Sequence, residues 1–86
     1  MQSRRSQEPP SVADFAVILV HSTSHAISAE RALRRAGLSA KLVPTPRHLS
    51  SDCGMAVRIP ADSRTAASQA METAGVPFDR LETLAQ

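Results

Sequence analysis

With 86 residues, of which 42% are hydrophobic, the chain can form one domain but is too short for two, so a multidomain enzyme is excluded. Ten Lys and Arg against eight Asp and Glu leave a net charge of only +2, and Arg4 and Arg5 alone account for this excess. We therefore expect no general affinity for nucleic acid or for anionic membranes. The single cysteine cannot form an internal disulfide, which is typical of a reducing compartment and predicts a cytoplasmic protein.

The first residues are predicted to lie outside the folded domain. Residues 1–13 are polar and contain Pro9 and Pro10, which predicts a disordered tail, with a docking arm as the alternative. The Arg pair is followed by polar residues and not by an apolar stretch, so we expect no export signal. The longest apolar run, residues 15–20, is far shorter than the roughly 20 residues that cross a bilayer. We expect a soluble protein with one domain over residues 14–86.

The elements of this domain follow the order βαββαβ. Residues 15–20 are apolar at odd and at even positions, so both faces of a strand formed by them would be apolar. This pattern indicates a central strand buried on both faces. A helix is predicted from about residue 24 to 36, ended by Gly37, and a second helix that Asp62 caps and that extends to Ala74. Strands are predicted at 40–43, 55–59 and 78–84. This order is typical of a ferredoxin-like α+β domain, a two-layer sandwich with one antiparallel four-stranded sheet in the order 4-1-3-2.

This topology predicts where the chemistry lies. The first strand ends at the same edge of the sheet as the connection between the second and third strands. We therefore expect the loop over residues 21–24, the start of the first helix and the loop that holds Cys53 to share one end of the molecule.

The loop before the third strand contains Cys53, the only cysteine. Most of its residues are polar, proline or glycine, which predicts that Cys53 lies on an exposed loop with solvent access. Gly54 permits a positive φ and a close approach of substrate or backbone. The reactive form of cysteine is the thiolate, which cations and helix N-termini favour; Arg47, His48 and the first helix can have this effect, whereas Asp52 opposes it. The alternative is that Cys53 packs as a small hydrophobe under the loop.

Three segments of the chain together resemble a known family. They are the apolar first strand with the Ser/Thr/His-rich turn after it, the helix motif Ala29-Glu30-x-x-Leu33-x-x-Ala36-Gly37, and the run Leu42-Val43-Pro44-x-Pro46-Arg47-x-Leu49-Ser50-Ser51-x-Cys53-Gly54-x-Ala56-x-Arg58. The pattern resembles, over about residues 15–84, a family of short bacterial proteins of unknown function described as selenium/sulfur (Se/S) carrier-like. The resemblance implies that Cys53 carries the chalcogen as a persulfide or perselenide. Asp52 stands where we expect a small neutral residue.

The resemblance also implies a mechanism and partners. A thiolate at Cys53 would attack a persulfide or selenium donor and present the terminal atom to an acceptor enzyme, so the expected partners are sulfur or selenium donor and acceptor proteins. Ser50, Ser51 and the amide of Gly54 are candidates to hydrogen-bond the anionic sulfur, and Arg47 is a candidate to balance its charge. The alternatives are turn formation for the serines and a solvated surface cation for Arg47.

We expect a carrier with a reactive thiol and no cofactor, not an independent catalyst. The sequence contains no paired carboxylates, no Gly-rich phosphate loop and no Ser-His-Asp order, and a chain of 86 residues leaves little room for a closed substrate cavity. A metal-binding module is the second hypothesis, because nitrogen and sulfur ligands for zinc or copper could meet at the same end of the sheet: His21, His25, His48 and Cys53.

A non-catalytic interaction or regulatory module is the third hypothesis. Because the first strand is apolar on both alternations, either Val17 and Leu19 or the set Ala16, Ile18 and Val20 must face the side of the sheet without helices. An exposed apolar stripe needs a partner, most simply a second copy that forms a homodimer through the open sheet face. RNA recognition on this face is disfavoured, because the central strands lack aromatic residues for stacking.

Overall fold

The computed structural model of the chain describes residues 14–49 and 53–84. These residues form β1 (Phe15–Leu19), α1 (Thr23–Arg35), β2 (Lys41–Pro44), β3 (Met55–Pro60), a 3-10 turn (Ala61–Ser63), α2 (Arg64–Ala74) and β4 (Arg80–Leu84). The predicted βαββαβ order is therefore confirmed. The predicted disordered tail over residues 1–13 lies outside the described residues.

The strands form one sheet in the order β2-β3-β1-β4. Every pair of neighbours is antiparallel, and both helices pack on the same face. The central position predicted for β1 is confirmed, because Val17 lies opposite Arg58 of β3 on one side and Glu82 of β4 on the other. The fold is the predicted ferredoxin-like two-layer sandwich with strand order 4-1-3-2.

The helix ends follow from local chemistry. Ser22 caps α1, since its hydroxyl accepts the His25 N–H at 3.2 Å, so the helix begins one residue before the predicted start. The predicted cap at Asp62 is wrong: α2 begins at Arg64 and has no side-chain cap, because the 3-10 turn lies between β3 and the helix. Gly75 ends α2 with a φ of 72°, a backbone angle that residues with a Cβ rarely adopt.

The main core lies between the sheet and the helices. Alternate residues of β1 and β3 point to this side and meet small residues on the inner faces of the helices. The fully buried members are Ala16, Ile18, Val20, Ala26, Ala29, Leu33, Val57, Ile59, Ala67 and Met71. The many alanines allow the helices to approach the sheet closely, although each contributes little buried area.

The open face of the sheet carries Val17 and Leu19, the first of the two predicted sets. Their exposed fractions are 1% and 0% within a single chain. Together with buried Ala56 they form a second apolar cluster, against which Val43, Leu49 and Leu84 pack. The expectation of an exposed apolar stripe is therefore wrong, and the argument that a second copy must cover it no longer holds.

Two charged residues of β4 are cross-strand partners of this second cluster: Arg80 lies opposite Leu19, and Glu82 lies opposite Val17. The Arg80 guanidinium donates to Glu82 at 2.8 Å and to Asp79 at 2.9 Å. The hydrogen bond to Glu82, opposed by desolvation and reinforced by the charge of Asp79, raises the pKa of Arg80. Since these ion pairs are solvent-exposed, they contribute little to stability. Over residues 14–49 and 53–84, neither helix has the length or the apolar character needed to cross a bilayer.

Candidate functional site

The predicted meeting of three segments at one end of the sheet is confirmed. β1 ends at Leu19, α1 begins at Thr23, and Cys53 lies two residues before β3. The Thr23 Oγ1 atom is 3.7 Å from the Cys53 Sγ atom, although the two residues are 30 positions apart in the sequence. The only cysteine thus lies against the first turn of α1.

The predicted exposure of Cys53 is wrong. Only 5% of the residue is exposed, and its side chain belongs to the cluster between sheet and helices. The alternation of the third strand explains this placement. Met55, Val57 and Ile59 pack on the helix side, and Cys53 precedes Met55 by two residues, so it continues the same inward-facing series. The structure therefore supports the alternative interpretation, in which Cys53 packs as a small hydrophobe.

Thr45 fixes the backbone around Cys53. Its N–H donates to the Gly54 C=O at 2.9 Å, and its hydroxyl donates to the Cys53 C=O at 2.9 Å. These bonds extend the β2–β3 pairing beyond the last strand pair, Pro44 and Met55. The thiol is thus held inward by the backbone of the hairpin.

The sulfur atom has polar neighbours although it is buried. The Met55 N–H donates to Sγ at 3.4 Å, and the Thr23 hydroxyl is within hydrogen-bonding distance of sulfur. A thiolate can only accept, so the Thr23 hydroxyl would donate to an anionic sulfur. The first turn of α1 contains no acidic residue, and its amides favour negative charge. These groups would offset part of the cost of a buried charge at this position.

The structure tests some of the predicted supporting residues. Ser50, Ser51 and Asp52 lie outside the described residues. Arg47 is exposed, and no hydrogen bond or ion pair joins it to Cys53 in the described part of the chain. Gly54 does not adopt a positive φ, and a Cβ at this position would have no described atom within 4 Å. The close approach of a substrate to Gly54 stays a prediction. The Met55 amide, and not that of Gly54, approaches the sulfur.

The histidines do not form the hypothetical metal site with Cys53. His21 and His48 are exposed, while His25 is half-buried and its Nδ1 atom is buried without a hydrogen-bond partner. Among residues 14–49 and 53–84, no three His, Cys, Asp or Glu side chains come together in a way that could hold a metal ion. The metal-binding alternative therefore has no support in the described residues.

The sequence interpretation missed three residues at the site: Thr23, Thr45 and Met55. Thr23 is part of the loop predicted to approach Cys53, but its contact with the sulfur depends on which serine caps α1. Thr45 and Met55 act through hydrogen bonds across the β2–β3 connection, which residue spacing alone does not reveal. The one available signal was the alternation that runs from Ile59 back to Cys53.

Replacing Thr45 with valine should speed alkylation of native Cys53 by iodoacetamide about fivefold. Valine keeps the shape of threonine but cannot donate to the Cys53 C=O, and a lost hydrogen bond of about 1 kcal/mol raises the population of an opened loop by that factor. Thr65→Val, at an exposed position of α2, is the matched control and should leave the rate unchanged. Equal rates in all three proteins would show that opening does not break the Thr45 bond.

Comparison with known proteins identifies the family of this chain. Searches against curated proteins and against solved structures each found no significant match. A family model matches residues 15–81, a range that begins with β1, ends within β4 and includes Cys53 and Thr23. The chain therefore belongs to the family described as "Putative Se/S carrier protein-like".

Proposed function

We propose that the protein is a sulfur or selenium carrier that holds a persulfide or perselenide on Cys53 and delivers the terminal atom to an acceptor enzyme. One observation carries the proposal: the Cys53 sulfur lies between the Met55 N–H and the Thr23 hydroxyl at the start of α1. These two donors would offset part of the cost of a negative charge on the sulfur, which a thiolate and a deprotonated persulfide both bear. The family description supports a carrier role in general terms.

The loading step is a thiol exchange. The Cys53 thiolate attacks the terminal sulfur or selenium of a donor persulfide or perselenide, a bond forms between Cys53 Sγ and that atom, and the donor leaves as a thiolate. In delivery, a nucleophile of the acceptor attacks the terminal atom, and the bond to Cys53 breaks to regenerate the thiolate. Neither step needs an oxidant or a reductant, because the terminal atom moves between equivalent bonds.

Burial determines how the exchange proceeds. With 5% of Cys53 exposed, donor and acceptor reach the sulfur only when the structure around Cys53 opens locally, either spontaneously or on contact with a partner. The same burial protects a bound persulfide from small thiols in the reducing cytoplasm, where we propose the protein acts. Because access to the sulfur depends on a partner, we propose a carrier that is not an independent catalyst.

A loading and release assay tests the proposal. The full chain is incubated with polysulfide, freed of excess reagent and treated with cyanide, which removes the outer sulfur of a persulfide as thiocyanate. The expected yield is about one thiocyanate per chain, since only one thiol exists. Cys53→Ser replaces the sulfur with oxygen, which cannot form a persulfide, and should release none. A wild-type yield no greater than that of the variant would refute the assignment of Cys53 as the carrier group.

A further inference from the structure

The end of the sheet opposite Cys53 contains an open pocket of about 280 Å³. It lies where α1 ends, β2 begins and β3 ends, and its lining is Phe15, Arg34, Ser39, Ala40, Lys41, Arg58, Ile59 and Pro60. Met55 and Pro60, the two ends of β3, are about 16 Å apart at the usual rise per residue, so the pocket is separate from the thiol.

The charged residues that line this pocket are all positive. Three of its lining residues are cations, Arg34, Lys41 and Arg58, and the described residues that line it include no carboxylate. Lys41 and Arg58 are direct cross-strand partners, an arrangement in which like charges repel. Neither forms an ion pair with a carboxylate of the described residues. An anion bound between them would relieve this repulsion.

Contacts within the protein hold both guanidinium groups in place. The Arg58 guanidinium carbon lies 4.5 Å from the centre of the Phe15 ring, a cation–π contact. The Arg34 Nε–H donates to the Ala40 C=O at 3.1 Å, and its other end contacts Glu30 at 3.4 Å, which offsets part of its charge. Because two planar cations are fixed before any ligand arrives, less entropy is lost when an oxyanion binds.

We propose that this pocket binds the phosphate group of a small phosphate monoester. Guanidinium and ammonium groups together suit a tetrahedral oxyanion with two negative charges. Phe15 and Pro60, both half-buried, add apolar walls for a small organic group next to the phosphate. The volume is just below the usual range for ligand pockets, which fits a small monoester. The site is independent of the chemistry at Cys53.

An NMR titration of the full chain tests the proposal, with phenyl phosphate as probe at constant ionic strength. Saturable amide shifts are expected at Ala40, Lys41 and Ile59, whereas the amides of Cys53 and Gly54 should not move. Lys41→Gln and Arg58→Gln should each weaken binding about tenfold, because each removes a charge-assisted hydrogen bond. Arg31→Gln makes the same change in net charge at an exposed position of α1 and should keep the affinity within about twofold.

The spectra of the variants show whether each is folded. Arg58→Lys keeps the charge but lacks the planar group that stacks on Phe15, so it should bind more weakly than the wild type and more tightly than Arg58→Gln. Inorganic phosphate is the second probe: equal affinity would mean that the pocket recognises the oxyanion alone, and weaker binding would mean that the apolar walls contribute. Shifts that do not saturate, or an equal loss in the Arg31, Lys41 and Arg58 variants, would overturn the proposal. Tighter binding of a short oligonucleotide than of phenyl phosphate would overturn it as well.

Discussion

Replacing Thr23 with valine is expected to slow polysulfide loading of Cys53 about tenfold. In the thiolate state the Thr23 hydroxyl donates to Sγ, and a hydrogen bond to a charged group contributes about 1.5–3 kcal/mol. The O···S distance of 3.7 Å is long, so the lower end of this range applies, which corresponds to about one factor of ten in rate. Loading reactions quenched at successive times and analysed by intact mass give the rate directly.

Two further variants distinguish a hydrogen bond from a packing effect. Thr23→Ser retains the hydroxyl and should load at nearly the wild-type rate. Ser24→Ala changes the next residue of α1, which is exposed, and should have little effect. If Thr23→Ser were as slow as Thr23→Val, the methyl group and not the hydroxyl would be responsible, and the proposed stabilisation of the thiolate would be wrong.

Replacing Leu33 with alanine is expected to lower the free energy of unfolding by about 2–5 kcal/mol. Leu33 is the largest buried residue of α1 and faces the core shared by the sheet and both helices. Removing it leaves a cavity in a core otherwise rich in alanine, where small neighbours cannot fill the space. A domain of this size has few kcal/mol to lose, so the variant should be largely unfolded at moderate temperature.

The same helix provides the control for this prediction. Ile27 is the exposed large hydrophobic residue of α1, with 42% of its surface accessible. Ile27→Ala should change the free energy of unfolding by less than about 0.5 kcal/mol. The higher helix propensity of alanine offsets the few contacts that the exposed isoleucine side chain loses. Urea denaturation followed by circular dichroism measures both variants. Similar losses in the two would place Leu33 outside the core and contradict the packing described above.

The fold was predictable because the hydrophobic residues of its strands and helices recur at regular intervals in the sequence. The run from Phe15 to Leu19 is apolar on both alternations, and that property alone indicates a central strand. The helix starts were less certain because more than one residue can act as a cap. Ser22 and Ser24 both precede the apolar pattern of α1, and only the contact between Ser22 and His25 decides between them. For α2, the 3-10 turn after Pro60 has no clear signature in the sequence.

The site was predictable in its location and not in its detail. Topology was sufficient to bring Cys53 to the start of α1. Its burial was missed because the loop was judged by its polar composition, whereas the alternation that continues from β3 decides where the side chain points. The bonds made by Thr45 and Met55 depend on how the chain crosses between β2 and β3, a tertiary property that no local pattern encodes.

The intact mass of freshly isolated protein, measured with and without reductant, tests the central claim most directly. We expect a fraction of the chains to be heavier by one sulfur or one selenium atom, and this increment should map to the peptide that contains Cys53 and disappear after reduction. The size of the increment also identifies the chalcogen. A single mass equal to that of the unmodified chain, unchanged by reductant and unchanged after incubation with polysulfide, would contradict a carrier role for Cys53.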